Sequence, residues 1–220
     1  MRSALVLLLL PSLALAQDVG FDAHDLTLSA NDGDVRDPLL VHRPDVLSRG
    51  SSWFAASYEY AHEPLVSYPA GGDPRDIVGS THGLHLNMGA VVHERVRVDV
   101  AAPLFFNAMN ERGSGTHAAL GDIRLTGLVE LLVPEAEDDG LGLGVVARLS
   151  LPSGEDRAGL GDPSVRFEPS LAMSWASGPL SVAANAGFDL RQSIEERGGL
   201  TNPSRFTAGA AVGMAVAEQT

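Results

Sequence analysis

Apolar and polar residues alternate with a period of two over most of the chain after residue 50, and this pattern restricts what the chain can fold into. The clearest stretch is 95–106, where Val96, Val98 and Val100 share one face and Arg97 and Asp99 share the other. Successive side chains of a β-strand point to opposite faces of its sheet, whereas a helical pattern repeats about every 3.6 residues. The alternation therefore predicts an all-β protein whose strands have one apolar and one polar face.

Eight segments carry this alternation. They cover residues 54–60, 84–92, 95–106, 123–133, 141–151, 165–175, 180–190 and 206–216. Most of them are longer than the strands of soluble proteins, which cluster near about 5 to 6 residues, and resemble membrane-barrel strands of about 9 to 11. Short turns at 93–94 and 177–179, and a somewhat longer one at 134–140, alternate with longer connections at 61–76, 107–118, 153–161 and 192–204. Short periplasmic turns and long outer loops are typical of outer-membrane barrels. We predict an antiparallel, up-and-down transmembrane β-barrel over residues 51–220.

Aromatic residues lie near the ends of the predicted strands, on the apolar face. Tyr58, Phe106 and Phe188 fall near one end, and Trp175 falls near the other, eight positions after Phe167. Girdles of aromatic residues border the apolar band of a membrane barrel at both interfaces. The aromatic positions thus favour the barrel over a secreted soluble β-sandwich, which the alternation alone leaves open as an alternative.

The N-terminus has the three-part layout of a secretory signal peptide. Arg2 supplies a positive charge, residues 5–10 are apolar, and residues 14–16 (Ala-Leu-Ala) form a small-residue cleavage site. We assign residues 1–16 to a signal peptide and residues 17–50, which are rich in Asp and Pro, to an irregular polar leader. An exported chain with barrel strands is expected in the cell outer membrane of a Gram-negative envelope, with outer-membrane lipid as its partner.

Composition excludes several classes of function. A formal net charge of −13 argues against nucleic acid as a partner, because a phosphate backbone requires a basic face. The chain has no cysteine, which excludes disulfides, Cys-ligated metals and Cys nucleophiles.

Catalytic and cofactor-binding motifs are also missing from the sequence. It contains no nucleophile elbow, zinc-binding helix motif, phosphate-binding loop or dinucleotide fingerprint. His82, His85 and His93 are placed on strand ends or turns without carboxylates at ligand spacing. Glu111, Ser114 and His117 share one predicted outer loop, where such residues occur together by chance far more often than as a catalytic group. We therefore expect no enzyme, no cofactor and no metal site.

The polar face of the strands carries both signs of charge and supplies the candidate site residues. In a barrel this face lines the lumen. With eight strands, side chains fill the lumen and the charges pair across it; with about twelve, they would line a channel and tune its selectivity. The candidate lumen-facing residues are Arg97, Asp99, Arg124, Glu130, Arg148, Arg166, Glu168, Asp189 and Arg191.

Several short segments give the chain a family resemblance. It resembles the N-terminal β-barrel portion of long OmpA-family outer-membrane proteins and, more loosely, phenol-degradation-type transporter barrels. Members of the first group typically carry further barrel strands, Asp-rich repeats and a C-terminal peptidoglycan-binding domain. The segments that carry the resemblance are residues 20–24 (Gly-Phe-Asp-Ala-His), 32–34 (Asp-Gly-Asp), 37–39 (Asp-Pro-Leu), 43–44 (Arg-Pro), 120–124 (Leu-Gly-Asp-Ile-Arg) and 149–154 (Leu-Ser-Leu-Pro-Ser-Gly).

The chain departs from that family at its C-terminal end. It stops at residue 220 without the repeats, the peptidoglycan-binding domain or a terminal aromatic residue. We expect a fragment of a longer protein rather than a complete eight-stranded barrel, and peptidoglycan as a partner only through a domain absent from this chain. The resemblance implies a non-enzymatic envelope component or anchor. The alternatives are a porin or transporter-like channel for small solutes and a soluble β-sandwich binding module.

Overall fold

The structure, a computed structural model, describes residues 41–44, 49–67, 75–109, 115–133, 139–154, 164–191 and 204–214. The predicted signal peptide and most of the predicted leader lie outside these residues. Across the described ranges, no helix is long and apolar enough to cross a membrane. The strands are β1 (Ser52–Ser67), β2 (Arg75–His93), β3 (Val96–Met109), β4 (Gly115–Leu120), β5 (Ile123–Leu132), β6 (Asp139–Leu151), β7 (Arg166–Ser177), β8 (Leu180–Arg191) and β9 (Arg205–Met214).

These strands form one antiparallel sheet in the order β1-β2-β3-β5-β6-β7-β8-β9. Strand β4 pairs with the last residues of β3 and β5 pairs with the first ones, so that β4 and β5 together occupy a single strand position. The sheet is thus eight strands wide and curls into a half-barrel. The predicted all-β, up-and-down antiparallel fold is confirmed, and each of the eight predicted segments occupies one strand position. Among the described residues β1 pairs only with β2 and β9 only with β8, which leaves both sheet edges open there.

Two of the predicted long connections are largely strand. β1 and β2 pair as far as Ser67 and Arg75, and β3 and β4 pair as far as Met109 and Gly115. The ladder continues there because backbone hydrogen bonds do not require an apolar side-chain pattern. His82 and His85 therefore lie within β2, and His117 lies within β4 opposite Asn107. Their placement at strand ends or in a loop was wrong.

The two faces of the sheet show inverted burial. On β3, Arg97 is 5% exposed whereas its neighbour Val98 is 42% exposed, and a similar alternation runs along β5, β7 and β8. The buried face is the concave one, because curvature crowds inward side chains together and spreads outward side chains apart. Apolar residues also lie on the concave face, where Leu128, Val146 and Ala172 form a buried cluster. The convex face carries most of the large apolar side chains.

The break between β4 and β5 is held by contacts between distant parts of the chain. Gly121 N donates to Pro103 O at 2.8 Å, and Gly154 N donates to the Asp122 carboxylate at 2.9 Å. The Ser153 hydroxyl accepts from Ile123 N at 2.8 Å. Two of the segments that carry the family resemblance, residues 120–124 and 149–154, therefore meet at this point.

Gly121 is expected to tolerate no larger residue. An alanine Cβ at this position would lie 2.6 Å from a ring carbon of Phe105 and 2.9 Å from Pro103 Cγ. We expect Gly121→Ala to cost about 1–3 kcal/mol of folding free energy through overpacking, measured by urea unfolding. Gly127→Ala is the matched control, because nothing lies within 4 Å of its added Cβ. Equal losses in the two variants would contradict the steric account.

Candidate functional site

Charged side chains of β6, β7 and β8 form a connected row across the concave face. The strand register places Arg148 opposite Glu168 and Arg166 opposite Arg191. Arg148 Nη1 donates to Glu168 Oε2 at 2.9 Å, and Arg166 Nη2 donates to Glu168 Oε1 at 3.1 Å. Both carboxylate oxygens of Glu168 are therefore engaged by arginines, one from its own strand and one from β6.

Asp189 of β8 is the second carboxylate of this row and contacts three arginines. Its oxygens lie 3.5 Å from Arg166 Nε, 3.0 Å from Arg191 Nη2 and 3.2 Å from Arg205 Nε. The Asp189 side chain is 1% exposed, whereas that of Arg205 is 46% exposed. Charged groups buried to this degree require partners, because an isolated charge in a medium of low polarity is very costly. Asp189 thus ties β7, β8 and β9 together.

A separate group joins the first three strands. Asp99 of β3 accepts from Arg97 Nε and from the Trp53 indole Nε1, each at 3.2 Å. A Cβ at Gly89 of β2 would overlap both Asp99 and Trp53. Glycine at this position therefore allows β1 and β3 to make a hydrogen bond across the intervening strand.

A short piece of the leader lies against the concave face between these groups. The Val41 side chain forms a buried cluster with Ala183 and Ala211. A Cβ on Gly144 would lie 2.9 Å from Pro44 Cβ, so that the missing side chain makes room for the proline. Part of the predicted irregular leader is therefore buried inside the curved sheet, and small residues on β6, β8 and β9 accommodate it.

His42 makes polar contacts that join this segment of the leader to the sheet. Its backbone N–H donates to Asn185 Oδ1 at 2.6 Å, and Asn185 Nδ2 donates to His42 O at 2.8 Å. Arg148 Nη2 lies 2.8 Å from His42 Nε2. Burial, and after it the positive charges of Arg148 and Arg97, holds the pKa of His42 well below its usual 6.5.

A cavity of about 330 Å³ adjoins His42 on the concave face. Its walls come from β6 to β9 and include Arg148, Glu168, Asp189 and Arg205. The cavity thus has both signs of charge on its lining. Among the described residues there is no group of three or more His, Asp or Glu side chains that could hold a metal ion.

The structure brings most of the predicted lumen-facing residues into two groups. Arg97 and Asp99 belong to the group on β3, and Arg124 and Glu130 are buried on the same face of β5. The other predicted residues form the row described above: Arg148, Arg166, Glu168, Asp189 and Arg191.

Sequence analysis missed His42 and the role of Asn185. Asn185 lies in the polar row of its strand, but 143 positions separate it from His42, and no local pattern links the two. The sequence did contain one indication that a segment packs inside the sheet. Small residues leave space on the concave face at Gly144, Ala183, Gly209 and Ala211. Trp53 and Arg205 complete the two charged groups and were also absent from the predicted site.

Comparison of the sequence with protein-family models and with curated proteins finds no match.

Proposed function

We propose that this chain is a non-enzymatic outer-membrane β-barrel protein, an envelope component or anchor of the OmpA-family type, located in the cell outer membrane. The observation that carries the proposal is the inverted burial of the sheet. Large apolar side chains cover the convex face, including Phe54, Leu171 and Val212, each more than half exposed, while arginines and carboxylates are buried on the concave face. A water-soluble sheet buries its apolar face, whereas a barrel in lipid exposes it.

The position of the aromatic residues supports a membrane-spanning band. Phe167 and Trp175 lie on the convex face of β7, and Leu171 lies midway between them. Eight residues of a strand tilted by about 40° span roughly 20 Å, close to the apolar band of about 25 Å in outer-membrane barrels. The convex face between the two aromatic side chains is the surface we assign to lipid contact.

A channel for small solutes is the second candidate, and the curvature of the sheet favours it. The eight strand positions curl into a half-barrel whose two edges are unpaired among the described residues, so that a closed barrel built from this sheet would contain more than eight strands. Barrels of about 16–18 strands enclose an aqueous channel, whereas eight-stranded barrels are filled by side chains. In such a channel, the charged rows of the concave face would line the path of the solute.

The envelope proposal predicts where the protein is found and how it behaves in detergent. We expect the processed chain to fractionate with the outer membrane, because its convex face requires lipid. We also expect its migration on a detergent gel to change on boiling, because barrel strands resist detergent until heated. Recovery of the processed protein from the periplasm as a soluble species would contradict the proposal.

A further inference from the structure

We propose that residues Val41–Pro44 form a proton-sensitive latch on the concave face, seated while the His42 imidazole is neutral and released when it takes up a proton. The latch itself follows from contacts within the chain. Only the last prediction below, that release of the latch opens a conducting path through the barrel, rests on the proposed channel.

One side chain satisfies both backbone groups of His42, the second residue of the latch. The amide of Asn185 accepts from the His42 N–H and donates to the His42 carbonyl, so that it satisfies both backbone groups of that residue. Buried backbone groups require such partners, because an unpaired one is costly. Asn185 therefore supplies for one residue what a neighbouring strand supplies in a sheet. Release of the latch would leave both groups to water.

The protonation state of the seated His42 follows from its partner. Arg148 Nη2 lies 2.8 Å from His42 Nε2. A guanidinium group only donates hydrogen bonds, so that Nε2 accepts and carries no proton. The neutral ring therefore has its proton on Nδ1, which has no hydrogen-bond partner among the described residues. A second proton, on Nε2, would point the His42 N–H at an N–H of the Arg148 guanidinium. It would also place the positive charge of the imidazolium beside that of Arg148.

The charged groups around His42 do not offset that added charge. The carboxylate oxygens of Glu168 accept from Arg148 and Arg166, and Asp189 contacts three arginines. Arg97 adds positive charge from the side of β3. Charged residues on the latch and on the concave face around it are Arg43 of the latch, Arg97 and Asp99 of β3, Arg124 and Glu130 of β5, Arg148 of β6, Arg166 and Glu168 of β7, Asp189 and Arg191 of β8 and Arg205 of β9.

The direction of the pH effect follows from linkage. The seated state has a His42 pKa below the usual 6.5, so that the released state binds the proton more strongly. The free energy that favours the seated latch over the released one is therefore largest above about pH 6.5, and it decreases as the pH falls below that value. Between the two pKa values, the ratio of seated to released latch falls by up to about tenfold for each pH unit.

A spin label on the latch tests this directly. The 220-residue chain has no cysteine, so that a nitroxide attached to Arg43→Cys is its only label when it is studied in lipid vesicles. We expect an immobile spectrum at pH 7.5 and a growing mobile fraction between pH 6.5 and 5. His42→Gln is the matched control, because its amide oxygen accepts from Arg148 at every pH and does not titrate; its label should stay immobile throughout.

A further variant keeps the test informative if His42→Gln does not fold. Asn185→Ala removes both backbone hydrogen bonds of His42 without changing any charge, and its label should be mobile even at pH 7.5. An immobile label in the His42 protein down to pH 5, or an equal pH response in His42→Gln, overturns the latch. So does an immobile label in Asn185→Ala at neutral pH.

A crosslinked latch separates this proposal from the channel. A Cβ at Gly209 would lie 3.7 Å from Val41 Cγ2, in van der Waals contact, and a Val41→Cys/Gly209→Cys pair is therefore the crosslink to be oxidised with the latch seated. In planar bilayers we expect conductance to rise below pH 6.5 and to stay low in the oxidised pair until a reductant is added. A spin-label response without conductance at any pH supports the latch and contradicts the channel. Conductance that rises equally in the oxidised pair contradicts the latch as its gate.

Discussion

Replacing Leu171 by arginine is expected to destabilise the lipid-inserted protein by about 2–4 kcal/mol, the cost of an arginine on the lipid face near the bilayer midplane. Leu171 is 55% exposed on the convex face of β7, four positions from Phe167 and four from Trp175. The arginine therefore enters the middle of the band that we assign to lipid. The measurement is the free energy of unfolding by urea from vesicles.

Leu141→Arg is the matched control for depth. Leu141 is also an exposed leucine, 46% accessible, and lies opposite Trp175 in the ladder between β6 and β7. Near the interface, the same substitution should cost only about 0–1 kcal/mol. The penalty at Leu171 should also grow as the bilayer is made thicker. Equal penalties at both positions, unaffected by bilayer thickness, would refute the membrane assignment.

The second large effect is expected at Asp189. Asp189→Asn keeps the shape of the side chain but removes the negative charge that contacts Arg166, Arg191 and Arg205. Removal of one partner from a buried ion pair costs about 3–5 kcal/mol, because the opposite charges stay buried. We expect a loss of this size in the free energy of unfolding, measured in the same vesicles.

Arg205→Gln provides the comparison for Asp189. It removes a contact to the same carboxylate, but the arginine side chain is 46% exposed. Water already solvates much of that charge, so that a loss of only about 0–1 kcal/mol is expected. If Asp189→Asn proves as mild as Arg205→Gln, the charged row does not hold β7, β8 and β9 together.

The strands and their faces could be predicted because the period-two pattern is local. Arg97 and Val98 are adjacent in sequence, and a β-strand must turn them to opposite faces, whatever the rest of the chain does. The same rule placed Arg166, Glu168 and Asp189 on the polar face. It did not limit how far the ladder continues at residues 62–67 and 107–109, since backbone pairing there does not depend on an apolar pattern.

The sequence by itself determined an antiparallel sheet with one charged and one apolar face, because alternation and turn positions are properties of neighbouring residues. Only the tertiary structure decided which face of that sheet is buried and which side chains meet on it. Curvature made the charged face the buried one, and side chains from separate strands had to converge before Glu168 and Asp189 acquired their arginines. The contact of His42 with Asn185 joins positions 143 residues apart. No local pattern specifies such a contact, because it depends on the space left by small residues on strands that are distant in sequence.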